Sequence, residues 1–337
     1  MIGIGHHFPI LQHLHIKKTH DGIGVHRIDT LNSFMKTFGP FFVLVAAMLW
    51  ATDAPFRVFL TQGLSSNFIV LGEHAIDLLV VLPILVLGWR QLKGLTYKEW
   101  LAVAFIAIGG SALGSVAFTQ AFHYVNPSVA ILLQKLQPLI AISLAALILK
   151  EPLKPLFWLW AILALGGAYL ISFPNLVPQL YPGEAFNPNV MGVVLALTAA
   201  FFWGASTVMG RFVLAKVDFK MMTALRFSGA FAFLLVLNAV QHSFPAAGEF
   251  TAKDALFIGI IAMVSGVVSL FIYYRGLQFT QASVATLAEL GFPMAAIFIN
   301  WLFIPDSALV PMQFVGVAIL LTAIWGLSSY NREVVRA

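Results

Sequence analysis

Apolar residues run along this chain in ten long blocks, each broken by a short polar or turn-forming stretch. The blocks lie near 39–60, 67–89, 98–121, 126–149, 155–174, 190–212, 219–241, 254–277, 281–303 and 309–329. Roughly 20 apolar residues cross a ~30 Å hydrocarbon layer as a helix. Two of the breaks are very short: Val125-Asn126-Pro127 between the third and fourth blocks, and Lys150-Glu151-Pro152-Leu153-Lys154 between the fourth and fifth. The pattern predicts an all-α membrane protein with ten transmembrane helices. Composition agrees, with 60% hydrophobic and 10% charged residues, against about 25% charged in a soluble domain.

The second half of the chain repeats the first. Ser128-Val129-Ala130-Ile131-Leu132 returns 155 residues later as Ser283-Val284-Ala285-Thr286-Leu287, and Pro138, Ala141 and Glu151 fall on Pro293, Ala296 and Asp306. At an offset of 153, Ala46-Ala47 with Trp50 becomes Ala199-Ala200 with Trp203. Internal duplication is common in carriers. The predicted organisation is a His-rich cytoplasmic tail without a fold (1–38), a first five-helix repeat (39–174), an outer linker (175–189), a second five-helix repeat (190–329) and a cytoplasmic tail (330–337).

Lys and Arg set the direction of insertion. With the N-terminus cytoplasmic, the inner segments hold 15 of these residues and the outer loops only Lys253. Both termini are therefore expected inside, in a multi-pass protein of the cell (inner) membrane. Five spans per repeat then make the second copy enter from the opposite side, which predicts inverted repeats. The net charge of +5 does not imply a nucleic-acid partner, because the basic residues sit in short loops where they fix topology. The absence of cysteine excludes disulfides and thiolate metal sites. Residues 1–34 hold six of the nine histidines. A metal-binding tail, a solvated tail and a start at Met35 are the three readings, the solvated tail being favoured. No metal site, cofactor or signal peptide is expected.

Seven charged residues fall inside predicted spans: Asp53, Arg57, Glu73, Asp77, Lys135, Arg226 and Glu289. Each costs at least ~2.5–3.5 kcal/mol at the bilayer centre, so they are expected to face one another or a wet cavity. Asp53 and Arg57 stand one helical turn apart and are expected to pair. Glu73 and Asp77 share a face, Asp77 being the deeper; the helix is allowed to start close to Glu73, which then lies near the outer interface. His74 reads as an interfacial polar residue. Lys135, within Gln134-Lys135-Leu136-Gln137-Pro138, either snorkels outward or faces a cavity, binding an anionic group or pairing with Asp53, Asp77 or Glu289. Glu289 falls on Gln134 in the repeat. Arg226 falls on Glu73, and is expected to bind backbone, headgroup or substrate.

Pro138 and Pro293 each remove a backbone hydrogen bond and are expected to kink helices 4 and 9, which become candidates for lining the path. Gly109, Gly110, Gly114 and Gly266 allow close helix approach. Trp50, Trp203, Tyr273 and Tyr274 suit an amphipathic pocket, the two tyrosines alternatively an inner aromatic belt. The candidate substrate-binding or coupling residues are thus Trp50, Asp53, Asp77, Gln134, Lys135, Gln137, Trp203, Arg226 and Glu289, with Pro138 and Pro293 as helix kinks.

The pattern Ala46-Ala47-Met48-Leu49-Trp50, repeated at Trp203-Gly204-Ala205-Ser206, resembles the EamA-type domain of the drug/metabolite transporter superfamily. So do Asn126-Pro127-Ser128-Val129-Ala130, Leu136-Gln137-Pro138 and Leu149-Lys150-Glu151-Pro152-Leu153. The resemblance covers about 39–329. It implies ten helices in two inverted repeats, a central cavity built mainly from the first four helices of each half, and transport of small metabolites, amino acids or drugs, often outward and often coupled to protons. The chain departs from the pattern at Glu73, where such proteins commonly carry Arg, and at Asp306, which replaces a closing Glu. Glu151 and Asp306 lie at loop edges and read as structural.

The leading functional expectation is a secondary active carrier working by alternating access, with Asp77, Glu289 or Asp53 exchanging a proton for substrate. Its partners are a small-molecule substrate, the lipid bilayer and protons, with a homodimer left open. A channel or facilitator is the alternative, followed by a membrane-embedded enzyme. No G-x-x-x-x-G-K-[ST] loop and no H-E-x-x-H occur, which disfavours an ATP-driven pump and a zinc hydrolase.

Overall fold

The computed structural model describes residues 37–125, 130, 133–173, 176, 190–303 and 310–336. The His-rich tail, most of the linker, Asp306 and Asn126-Pro127-Ser128-Val129 lie outside the described residues. The apolar helices are α1 (Thr37–Leu60), α2 (Ser66–Gly94), α3 (Tyr97–Ala121), α4 (Gln137–Leu149), α5 (Pro155–Ser172), α6 (Val190–Val213), α7 (Phe219–Gln241), α8 (Ala252–Leu277), α9 (Ala282–Ile299) and α10 (Pro311–Arg336). Among the described residues, nine are long and apolar enough to cross a membrane, and α4 is the shorter one. The segment read as a C-terminal tail continues α10 as far as Arg336.

The duplication reaches into how the helices start. Ser65 caps α2, accepting from the Phe68 amide at 3.2 Å, and Asp218, 153 residues on, caps α7 by accepting from Met221 at 2.8 Å. At an offset of 155, α3 and α8 begin with capping boxes. In the first, the Thr96 amide donates to Glu99 at 2.7 Å. In the second, the Thr251 amide donates to Asp254 at 2.9 Å and the Asp254 amide donates back to Thr251 at 3.2 Å. These side chains satisfy amides that the first turn leaves unpaired.

The same offset recurs inside α3 and α8. Both widen into π-helical turns, over Ile106–Leu113 and Ile261–Val268. A π turn displaces the regular hydrogen-bond ladder and often marks a functional site. Gly109 and Gly110 lie in the first stretch and Gly266 in the second.

Helix 4 and helix 9 are not the kinked continuous rods expected from the sequence. Each is interrupted by a two-residue turn, Lys135-Leu136 and Glu289-Leu290, and the helix restarts at Gln137 and Gly291. Pro138 and Pro293 stand in the first turn of the restarted segments. There a missing N–H costs little, because first-turn amides lack intrahelical partners anyway. Helix α1 breaks in the same manner at Ala51-Thr52-Asp53, ahead of Pro55.

Repeat counterparts pack on one another: α2 on α7, α5 on α10, and α4 on α9. Helix α3 packs on α6, and α1 meets α8, where Ser265 Oγ donates to the Leu49 carbonyl at 3.4 Å. Small residues permit these crossings, since lipid tails are as apolar as leucine and helix association rests on close van der Waals contact. Ala46, Ala47, Ala199 and Ala200 are fully buried. At the α5–α10 crossing a side chain on Gly167 or Gly316 meets opposing backbone atoms within 3 Å.

Candidate functional site

The breaks and π turns converge on one cavity of about 180 Å³. Its walls come from helices 1–4 and 6–9 and the breaks within them; α5 and α10 contribute none. All nine candidate residues named from the sequence line it, as do Pro138 and Pro293. The nine come from six helices and the breaks within them, and their common destination is a product of the tertiary fold.

Arg57 organises one side. Asp53 occupies the cap position before the restarted end of α1 and lies four residues from Arg57, as its spacing suggests; its Oδ2 sits 3.0 Å from Arg57 Nη2. Arg57 also reaches α2, with Nη1 2.8 Å from Glu73 Oε1 and Nη2 donating to Glu73 Oε2 at 3.1 Å. A further bond goes to Thr119 Oγ1 on α3 at 3.0 Å. Glu73 is therefore a deep, paired group, 5% exposed, and not one near the outer interface. Helix α2 begins at Ser66, which places Glu73 two turns inside. His74 is likewise not interfacial. It is buried, directs Nδ1 at the Val70 carbonyl at 2.9 Å and packs edge-on against Phe227.

A second cluster surrounds Glu289. Its Oε1 accepts from Tyr273 Oη at 2.9 Å and Thr207 Oγ1 at 3.2 Å, and its Oε2 accepts from Gln137 Nε2 at 2.5 Å. Three helices besides α9 thus hold this carboxylate, with no cation paired to it among the described residues. Arg226 donates Nε to Ser111 Oγ at 2.5 Å and Nη1 to Tyr274 Oη at 3.0 Å. Among the described residues neither backbone nor a carboxylate is its hydrogen-bond partner. Tyr274 is fully buried and Tyr273 lines the cavity, so neither forms an aromatic belt.

Among the described residues the ion pairs are those of Arg57 alone. Lys135 lines the cavity with no hydrogen bond or ion pair to another described residue, and so pairs with none of Asp53, Asp77 or Glu289. Asp77 is 1% exposed, with Oδ1 unpartnered against Gly266; a side chain there would come within 2.6 Å of that oxygen. Ser206 Oγ, Thr286 Oγ1 and His74 Nε2 are also buried without hydrogen-bond partners among the described residues. Buried polar groups are normally satisfied; these four exceptions belong to residues that line the cavity, while Ser228, Asn238, Gln278 and Gln281 carry others away from it.

Aromatic rings flank it in two pairs. Trp50 packs on Tyr273 with centroids 5.2 Å apart, and Trp203 on Phe118 at 5.1 Å. The pairs are repeat counterparts, the tryptophans 153 residues apart and Phe118 and Tyr273 155 apart. Sequence reading missed Phe118, Thr207 and Ser111. Extending the 155 offset upstream to Tyr273 identifies Phe118, whereas no sequence signal marks the two hydroxyls.

Comparison with known proteins gives the cavity a context. Residues 37–173 and 190–329 match the EamA-like transporter family. The chain is 32% identical over 305 residues to the riboflavin transporter ImpX of Fusobacterium nucleatum subsp. nucleatum, covering 87% of this chain and 98% of that protein. It is 23% identical over 297 residues to the uncharacterized transporter YwfM of Bacillus subtilis, covering 87% and 94%. A solved crystal structure shares the fold with a TM-score of 0.67 at 14% identity, over 88% of this chain and 98% of the other. Two family matches, one in each half, and a full-length relative above 30% identity establish that the chain belongs to the EamA-like transporter family and is a multi-pass membrane transporter of a small molecule, not an enzyme.

Proposed function

We propose that the chain is a secondary active carrier for riboflavin or a closely similar planar heteroaromatic solute. Ten helices, arranged as two inverted five-helix repeats with both termini cytoplasmic, would rock about a shared midplane site in the cell (inner) membrane. The observation that carries this reading is the cavity flanked by repeat-related aromatic pairs, Trp50–Tyr273 and Trp203–Phe118. Flat aromatic faces stack on flat rings, and the riboflavin transporter similar to this chain makes a flavin the first substrate to test. The cavity is smaller than the roughly 300–1,000 Å³ of typical ligand sites, so a three-ring solute enters only as the walls separate. That requirement suits alternating access better than an open pore.

Proton coupling belongs to the same reading. Glu289 and Asp77 are carboxylates at membrane depth without a cationic partner among the described residues, and either could carry a proton against substrate. A single copy of the chain suffices, since both halves of the cavity come from it. A facilitator is the competing mechanism.

Counterflow separates the two. Proteoliposomes preloaded with unlabelled riboflavin and diluted into labelled riboflavin should accumulate label transiently if the protein is a carrier. Equilibration without an overshoot points to a facilitator, and no riboflavin entry above protein-free vesicles defeats the substrate assignment.

A further inference from the structure

The two aromatic pairs are related by the repeat, but their hydrogen bonding is not. Trp203 donates its indole N–H to the Gly110 carbonyl in the π turn of α3, at 2.9 Å. The counterpart of Gly110, 155 residues on, is Ser265 in the π turn of α8. Its carbonyl accepts from Ser269 Oγ instead. Trp50, the counterpart of Trp203, makes no matching bond to that carbonyl, and its Nε1–H bonds to no other described residue. Trp50 is half-buried in the cavity wall, beside the break at Ala51-Thr52-Asp53. Trp203, by contrast, sits on the unbroken helix α6.

An indole nitrogen can only donate. A donor on the wall of a substrate cavity, with no acceptor among the described residues, is available to a ligand acceptor. We propose that the two tryptophans divide the work of recognition: Trp203, tied to Gly110, is a fixed stacking platform, while Trp50 stacks and also donates its N–H to a carbonyl on the edge of the substrate's ring. The ligand class is a fused, planar heteroaromatic ring with a carbonyl on one edge; the dione edge of a flavin is one example. This inference rests on the planar-solute reading above and adds which edge chemistry is read and by which residue.

The test is a fluorescence titration of the purified full-length protein with riboflavin and with lumichrome, a ring that keeps the carbonyls and lacks the sugar-alcohol chain. Trp50→Phe keeps an aromatic face and removes the donor. It should weaken both ligands by about 3- to 10-fold, the usual worth of one neutral hydrogen bond, while changing the binding of phenazine, which has no carbonyl, by less than about 2-fold. Unchanged riboflavin and lumichrome affinity in Trp50→Phe, or an equal loss for phenazine, overturns the donor role of Trp50. Wild-type protein offers a second measurement, independent of whether the variants fold. Phenazine, a neutral three-ring system without a carbonyl, should bind at least about 3-fold more weakly than lumichrome, and equal binding overturns the proposal. If wild-type protein binds neither riboflavin nor lumichrome, the flavin reading itself falls and takes this inference with it. Binding of both with no dependence on Trp50 sinks the inference alone.

Discussion

Gln137 donates its side-chain amide to Glu289 at 2.5 Å, joining the two halves of the chain at their interrupted helices. Gln137 is the first residue of α4 after its break, and Glu289 lies in the break of α9. An ionised carboxylate only accepts hydrogen bonds, so it suits the amide, Tyr273 and Thr207 together; a protonated one must donate one of its own. Protonation therefore changes the bonding between the halves.

Glu289→Gln should fix that junction in a neutral form. The expected outcome is loss of pH-gradient-driven accumulation with substrate counterflow retained, measured in proteoliposomes with and without an imposed gradient. Asp77→Asn tests the other carboxylate in the same assay. Wild-type gradient response in both variants removes them from the coupling role.

Arg57→Ala leaves Asp53 and Glu73 without their cation. Removing one member of a buried ion pair typically costs about 3–5 kcal/mol, so the variant should show a markedly lower Tm in detergent. Neutralising all three, as Asp53→Asn, Arg57→Met and Glu73→Gln, should recover more than half of the loss. A single variant as stable as the wild type contradicts the structural role assigned to Arg57.

Glu151 closes the start of α9, accepting from the Ala282 and Ser283 amides at 2.7 and 3.0 Å and from Ser283 Oγ at 2.6 Å. Glu151→Ala should lower stability by about 1–2 kcal/mol, as for a lost helix cap. Glu151→Gln keeps one acceptor oxygen and should cost less. Thermal unfolding of the two variants side by side is the check.

The chain has no native cysteine, which makes single-cysteine labelling clean. Ala247, between α7 and α8, should react from outside in intact cells as Ala247→Cys, and Gly94→Cys, at the end of α2, only after permeabilisation. Labelling of both from the same side contradicts the inverted threading.

Several features of the site could be read without a structure because they are one-dimensional. Apolar block length, the 155-residue repeat and the rarity of charges inside apolar runs all survive as patterns along a line. Those patterns singled out Trp50, Trp203, Lys135 and Glu289, and the fold brings all four to one cavity. The helix interruptions were only half legible. Pro138 and Pro293 mark where a helix cannot continue normally, but whether proline kinks a helix or starts a new segment depends on what neighbouring helices do with the freed carbonyls.

The sequence by itself determined that the protein lives in a bilayer as apolar helices, that its two halves are copies, and which ionisable groups are costly enough there to need partners or water. Only the tertiary structure decided how those groups are matched: Arg57 to two carboxylates, Glu289 to three neutral donors, Arg226 to two hydroxyls, and Trp203 to a carbonyl that its counterpart Trp50 lacks. The reason is physical. Insertion depends on free energy summed along a segment, which sequence carries directly, whereas a hydrogen bond or ion pair depends on ångström-scale approach between helices far apart in the chain.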